Sequence, residues 1–133
     1  MKVVLTKEES EYMFYSALCN AVGTGYMQGY GLAIKLEPGV YGKTKEVLKL
    51  EKPNEEICYE DVLMAVLRNG GILTLEDVEG EGEMTRSITL VDVHKRVQKT
   101  PIRHLSDMIN KNDDAVTADV VLQTVFFKEV VFG

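Results

Sequence analysis

The chain has 133 residues, 45% of them hydrophobic and 27% charged, with 11 glycines and 3 prolines. That composition excludes a collagen, a coiled-coil rod and a disordered tail, and the length fits one domain around one core. Lys and Arg number 15 against 21 Asp and Glu, a net charge of −6, which argues against bulk nucleic-acid binding and against anionic membranes, since both need positive charge to displace counterions.

The start, Met1 to Glu8, has no apolar run of signal-peptide length. Apolar runs elsewhere are far shorter than the ~20 residues of a membrane span. The expected location is the cytoplasm. Cys19 and Cys58 each lie in an apolar stretch, with no CxxC and no histidine nearby in sequence. They are expected to be reduced thiols packed as small hydrophobes.

Thr6-Lys7-Glu8-Glu9 is a T-x-x-E capping box. Behind it Tyr12, Tyr15, Leu18, Cys19 and Val22 recur at helical spacing, and Gly23 and Gly25 are expected to stop that helix. Leu32, Ile34 and Leu36 alternate as in a strand, Pro38-Gly39 marks a turn, and Glu46–Leu50 reads as the returning strand. The order then repeats. Tyr59–Arg68 reads as a helix, Ile72–Leu75 as a strand, Glu76–Glu83 as an acidic turn and Ser87–Leu90 as a second strand. The last third changes character. Leu90–Val97 is a short helix with Thr89 as N-cap and Asp92 in the capping-box position. Thr100-Pro101 restarts the chain as N-cap and first helical residue. Lys111-Asn112-Asp113-Asp114 is a polar break, and Asp114 or Thr117 caps a final helix through Val120, Val121, Val125 and Phe126, with strand as the rival over Val125–Phe132.

The expectation is one α+β domain over residues 1–133. Two helix–strand–strand units, 7–50 and 58–90, would form a four-stranded antiparallel sheet, followed by a mainly helical third at 90–133.

Several stretches invite a site. Gly23-Thr24-Gly25-Tyr26-Met27-Gln28-Gly29-Tyr30-Gly31 fails as a dinucleotide fingerprint, because Gln28 stands where the last glycine is needed and the segment opens a strand. It remains a candidate contact loop, with Tyr26 and Tyr30 as stacking surfaces. Asp77, Glu79, Glu81 and Glu83 superficially suggest calcium, but Ile88 stands where an EF-hand loop needs Glu, so a solvated turn is expected. Lys95, Arg96, Lys99, Arg103 and Lys111 stand against Asp92 and Asp107, a positive segment in a negative protein. If its helices pack side by side, Lys95, Arg96, Lys99, Arg103 and His104 converge on one anion. No serine lies in a G-x-S-x-G context and no H-E-x-x-H occurs. No catalytic residue, metal or cofactor is assigned.

In size, acidic balance and Gly/Tyr segments the chain resembles short phage or prophage accessory proteins, a likeness of style that assigns no residue a role. The leading functional expectation is a non-enzymatic binding module that self-associates through the apolar end, Phe126, Phe127, Val131 and Phe132, with a two-fold dimer as the default. The alternatives are capture of an anionic small molecule such as a nucleotide, by the basic cluster and the two tyrosines, and a virion or assembly subunit.

Overall fold

Helix α1 (Lys7–Thr24) begins where its capping box directs: the Thr6 Oγ1 accepts from the Glu9 N–H at 3.1 Å, and Glu9 Oε1 accepts from the Thr6 N–H at 2.8 Å. Its buried stripe is Ser10, Met13, Phe14, Ala17, Leu18 and Ala21, the i, i+3, i+4 rows of one face. Tyr12 and Cys19, expected in the core, are exposed. The computed structural model describes residues 3–24, 26–111 and 114–132, and no side chain between 22 and 26. Gly23 continues α1 and does not stop it; Gly25, Asn112 and Asp113, placed in expected breaks, lie outside the described residues.

Past α1 come α2 (Tyr26–Gly29), β1 (Leu32–Lys35) and α3 (Val40–Glu51). Then follow α4 (Tyr59–Arg68), β2 (Leu73–Asp77), β3 (Arg86–Ile88) and α5 (Leu90–Arg96). A 3-10 turn (Val97–Lys99) leads to α6 (Ile102–Ile109) and α7 (Ala115–Phe127).

The four-stranded expectation is overturned. Among the described residues the sheet has three antiparallel strands in the order β1-β2-β3. Glu46–Leu50, expected as a strand, lies inside α3. Lys-Glu-Val-Leu-Lys-Leu-Glu has good helix formers at every position but Val47, and Gly39, with φ 83°, turns the chain into the helix from the left-handed region. The first unit is therefore helix–strand–helix, and β1 finds its partner in β2, with Ile34 opposite Leu75 and Leu32 opposite Asp77. Leu73 faces Ile88 across the second pair. Leu32, Leu73, Leu75 and Ile88 are buried on the core side; on the other, Thr74 and Ser87 hydroxyls meet at 2.9 Å.

Helix α7 is the centre of the molecule. Asp114 caps it, accepting from the Thr117 N–H at 2.9 Å, and every residue from Thr117 to Phe127 is buried. A helix apolar on all sides requires surroundings on all sides: α1, α5, α6, the 3-10 turn and β3 supply them. Phe14 of α1 and Phe126 of α7 meet with ring centroids 6.4 Å apart, and truncating either to Ala should cost about 3–5 kcal/mol. The α5 capping box forms as read, Asp92 accepting from the Thr89 N–H at 2.9 Å. Helix α6 starts one residue later than expected, with Pro101 as N-cap.

Beyond α7, Lys128 takes a left-handed conformation (φ 68°) and releases an extended strap. Phe132 folds back, stacked on Tyr30 at 4.6 Å and edge-on to Phe127 at 5.9 Å. Gln123 Oε1 accepts from the N–H groups of both Val131 and Phe132 at 2.8 Å.

Candidate functional site

A cavity of about 510 Å³ forms a groove between α1 and α3, both of which pack on α4. Each helix lends one stripe at i, i+3, i+4 and i+7 spacing: Glu8, Glu11, Tyr12 and Tyr15 from α1, Thr44, Val47, Leu48 and Glu51 from α3, and Asp61, Met64, Ala65 and Arg68 from α4. Lys52, Glu55, Ile57 and Asn69 complete the lining. Buried Ile57 and Met64 give it an apolar base. Tyr12, 61% exposed, and Val47, 46% exposed, stand open beside it. Helix α3 buries no residue fully, so its apolar side faces this groove incompletely covered.

The charge of the groove is negative, five carboxylates against Lys52 and Arg68. Glu11 uses both oxygens, one on Arg68 Nε at 2.9 Å and the other on His94 Nε2 at 2.9 Å. Lys52 lies 3.9 Å from Glu55. Among the described residues Glu8 and Glu51 make no ion pair. Tyr15 bridges α1 to α4: its hydroxyl donates to Asp61 Oδ1 at 2.8 Å and lies 3.6 Å from Cys58 Sγ. Asp61 Oδ2 in turn accepts from the Cys58 N–H at 3.1 Å, capping α4.

These contacts fix the protonation states. Burial pushes the Glu11 carboxyl up, but hydrogen bonds from His94 and Arg68 outweigh it, so the group lies below its ordinary 4.5. Burial opposes the Asp61 charge as well, and hydrogen bonds from Tyr15 and Cys58 bring it below 3.8. The Asp61 hydrogen bond, followed by the Cys58 contact, raises the Tyr15 phenol well above 10.0. Partial burial raises the Cys58 thiol above 9.0. Each shift moves its group away from neutrality, whereas a proton-transfer site draws a group toward it. The groove therefore presents fixed negative charge beside apolar and aromatic surface.

The residues singled out in the sequence lie elsewhere. Lys95, Lys99 and Arg103 are exposed. Arg96 turns inward, pairing with Asp92 at 3.1 Å and donating to the Val125 carbonyl at 2.8 Å. His104 Nδ1 is 3.0 Å from Thr117 Oγ1, and its Nε2 is 3.3 Å from Arg103 Nη2. Tyr30 donates to Asp119 Oδ2 at 2.7 Å, and Phe132 stacks on its ring. Thr117 and Asp119 are two positions apart on α7, about 200° around the helix, so Tyr30 and His104 sit on different sides of α7 and are not brought together. The side chain of Tyr26 lies outside the described residues. Phe126 and Phe127 are 2% and 9% exposed within the protomer, leaving Val130 and Val131 as the open apolar residues of that end.

Sequence reading missed the groove. Local spacing places Tyr12 and Tyr15 on a core face and Val47 and Leu48 in a strand; the signal that finds them is the i, i+3, i+4, i+7 stripe shared by α1, α3 and α4. A second, mainly apolar cavity of about 290 Å³ lies among Met27, Leu32, Ile34, Tyr59 and Leu122. Among the described residues no cluster of His, Cys, Asp or Glu is placed to hold a metal ion, and no helix is long and apolar enough to cross a membrane. Comparison with protein-family models, curated proteins and solved structures returns no match to this chain.

Proposed function

We propose that this protein is a small binding module that acts by contact, and that the groove between α1, α3 and α4 receives a cationic, partly apolar helical segment of a protein partner. The observation that carries the reading is the pairing of unpartnered carboxylates, Glu8 and Glu51, with open apolar surface at Tyr12 and Val47 around a cavity of about 510 Å³. Lysines and arginines of an incoming segment would meet Glu8 and Glu51, while its apolar side chains would cover Val47 and the Tyr12 ring. Tyr15, locked to Asp61, would supply a rigid wall, which reduces the entropy lost on binding.

A labelled amphipathic peptide of Lys and Leu tests this by fluorescence anisotropy. The wild-type chain should bind it, and Glu8→Lys/Glu51→Lys should weaken binding about tenfold or more. Equal affinity for that variant, or equal binding of a Glu-for-Lys peptide, would reject the reading.

A further inference from the structure

A second surface has the opposite character. Lys95, Lys99 and Arg103 are exposed on α5, the 3-10 turn and the start of α6. Exposed aliphatics lie among and beyond them: Val91 on α5, Ile102 and Ile109 on α6. Arg96 is withdrawn by Asp92 and the Val125 carbonyl, so it does not belong to this face. The groove offers carboxylates beside Val47 and Tyr12, and this stretch of chain offers exposed cations with exposed valine and isoleucine on the same elements. One is the chemical complement of the other.

The two regions meet at α5. Helix α5, which carries Lys95, touches the groove wall where His94 Nε2 meets Glu11 Oε2 at 2.9 Å. A negative and a positive patch side by side on one protomer are self-complementary under a two-fold rotation, because each copy then sets its positive patch on the other's negative one. Two molecules of net charge −6 repel through their overall charge, so association requires this local pairing of opposite signs.

We infer that the partner segment is supplied by a second copy of this chain: in a two-fold dimer, the segment 95–103 of each protomer, with its exposed Lys95, Lys99 and Arg103, lies on the α1/α3/α4 groove of the other. The inference rests on the groove being a site for cationic, partly apolar segments, and names as its occupant one that runs from the last turn of α5 through the 3-10 turn into α6. It moves the self-association surface from the C-terminal phenylalanines to a pair of oppositely charged faces.

Charge reversal tests it. Light scattering coupled to size exclusion should give the wild-type chain twice its mass of 14.9 kDa. Lys99→Glu/Arg103→Glu, with two negative faces, should be monomeric. Glu8→Lys/Glu51→Lys, with two positive faces, should be monomeric as well. An equimolar mixture of the two variants should recover the dimer, since one contact then keeps its native signs and the other is restored with its signs swapped. Circular dichroism establishes that each variant is folded; if either is not, the neutral pair Lys99→Gln/Arg103→Gln and Glu8→Gln/Glu51→Gln is used, each expected to raise the dimer dissociation constant about tenfold. A wild-type monomer overturns the inference, as does a dimer indifferent to both substitutions, or a mixture that stays monomeric. A wild-type monomer that still binds the Lys/Leu peptide overturns the dimer alone and leaves the groove reading standing; loss of peptide binding as well removes both.

Discussion

The hydroxyl of Tyr30 donates to the carboxylate of Asp119 at 2.7 Å, joining residues 89 positions apart in the chain. Gln123 donates to the same Asp119 oxygen at 2.9 Å while its own carbonyl holds the Val131 and Phe132 amides. This buried polar network is what fastens the C-terminal strap. Gln123→Leu removes the acceptor for two amides and a donor to Asp119. The expected loss of stability is about 1–3 kcal/mol, with hydrogen exchange at Val131 and Phe132 accelerated well beyond that of α7. Unchanged protection at those amides would show that the Phe132 ring stack alone holds the strap.

Asp119 gives the network a pH dependence. Burial raises its pKa above the ordinary 3.8, and hydrogen bonds from Tyr30 and Gln123 offset only part of that. Between 3.8 and the folded value the folded chain therefore holds the proton more tightly than the unfolded chain. The stability this residue contributes is present at low pH and is lost as pH rises through the folded value. Asp119→Asn cannot titrate, so urea unfolding across a pH series should show the wild type losing ground to the variant as pH rises. A difference that is flat with pH would contradict this.

Arg96 and its exposed neighbours should separate cleanly in thermal unfolding. Arg96→Ala breaks the ion pair to Asp92 and removes the donor to the Val125 carbonyl, a loss of about 1–3 kcal/mol. Lys95→Ala, Lys99→Ala and Arg103→Ala change side chains exposed on the protomer and, measured with the chain diluted to the monomer, should each stay within about 0.5 kcal/mol of the wild type. An Arg96 variant as stable as these three would mean that its inward contacts are not formed in solution.

Glu11 behaves in the opposite sense to Asp119. Its carboxyl lies below the ordinary 4.5 despite burial, because His94 and Arg68 hold the charged form. The stability it contributes is present above 4.5 and is lost as pH falls through the folded value. Glu11→Gln should therefore be destabilised by about 1 kcal/mol at neutral pH, with the gap closing in acid. A gap that persists or widens in acid would rule out the charged interaction as its source.

How far these features were legible in the sequence depends on how local their causes are. The helix Tyr59–Arg68 and the caps at Thr6, Thr89 and Asp114 rest on neighbouring residues and could be read directly. Glu46–Leu50 could not be, because Leu48 and Leu50 satisfy a period of two within five residues. Read from Val40, the same region shows Thr44, Val47, Leu48 and Glu51 on one helical face. The inner face of α1 is hard to read because Ser10, Ala17 and Ala21 are small, while the larger Tyr12 and Tyr15 fit an apolar stripe of their own. The terminal phenylalanines read as a surface for a second subunit because nothing local shows that α7 is enclosed by five neighbouring elements. The cations at 95, 99 and 103 were visible at once, whereas the groove is made of three stripes and required α3 to be recognised as a helix.

The central claim is that the groove binds cationic helical segments, and an NMR titration of the 15N-labelled chain with the Lys/Leu peptide tests it most directly. Amide shifts should concentrate at Glu8, Tyr12, Thr44, Val47, Glu51 and Arg68 and vanish in Glu8→Lys/Glu51→Lys. Shifts centred instead on the sheet or the C-terminal strap, or no shifts at saturating peptide, would contradict the account.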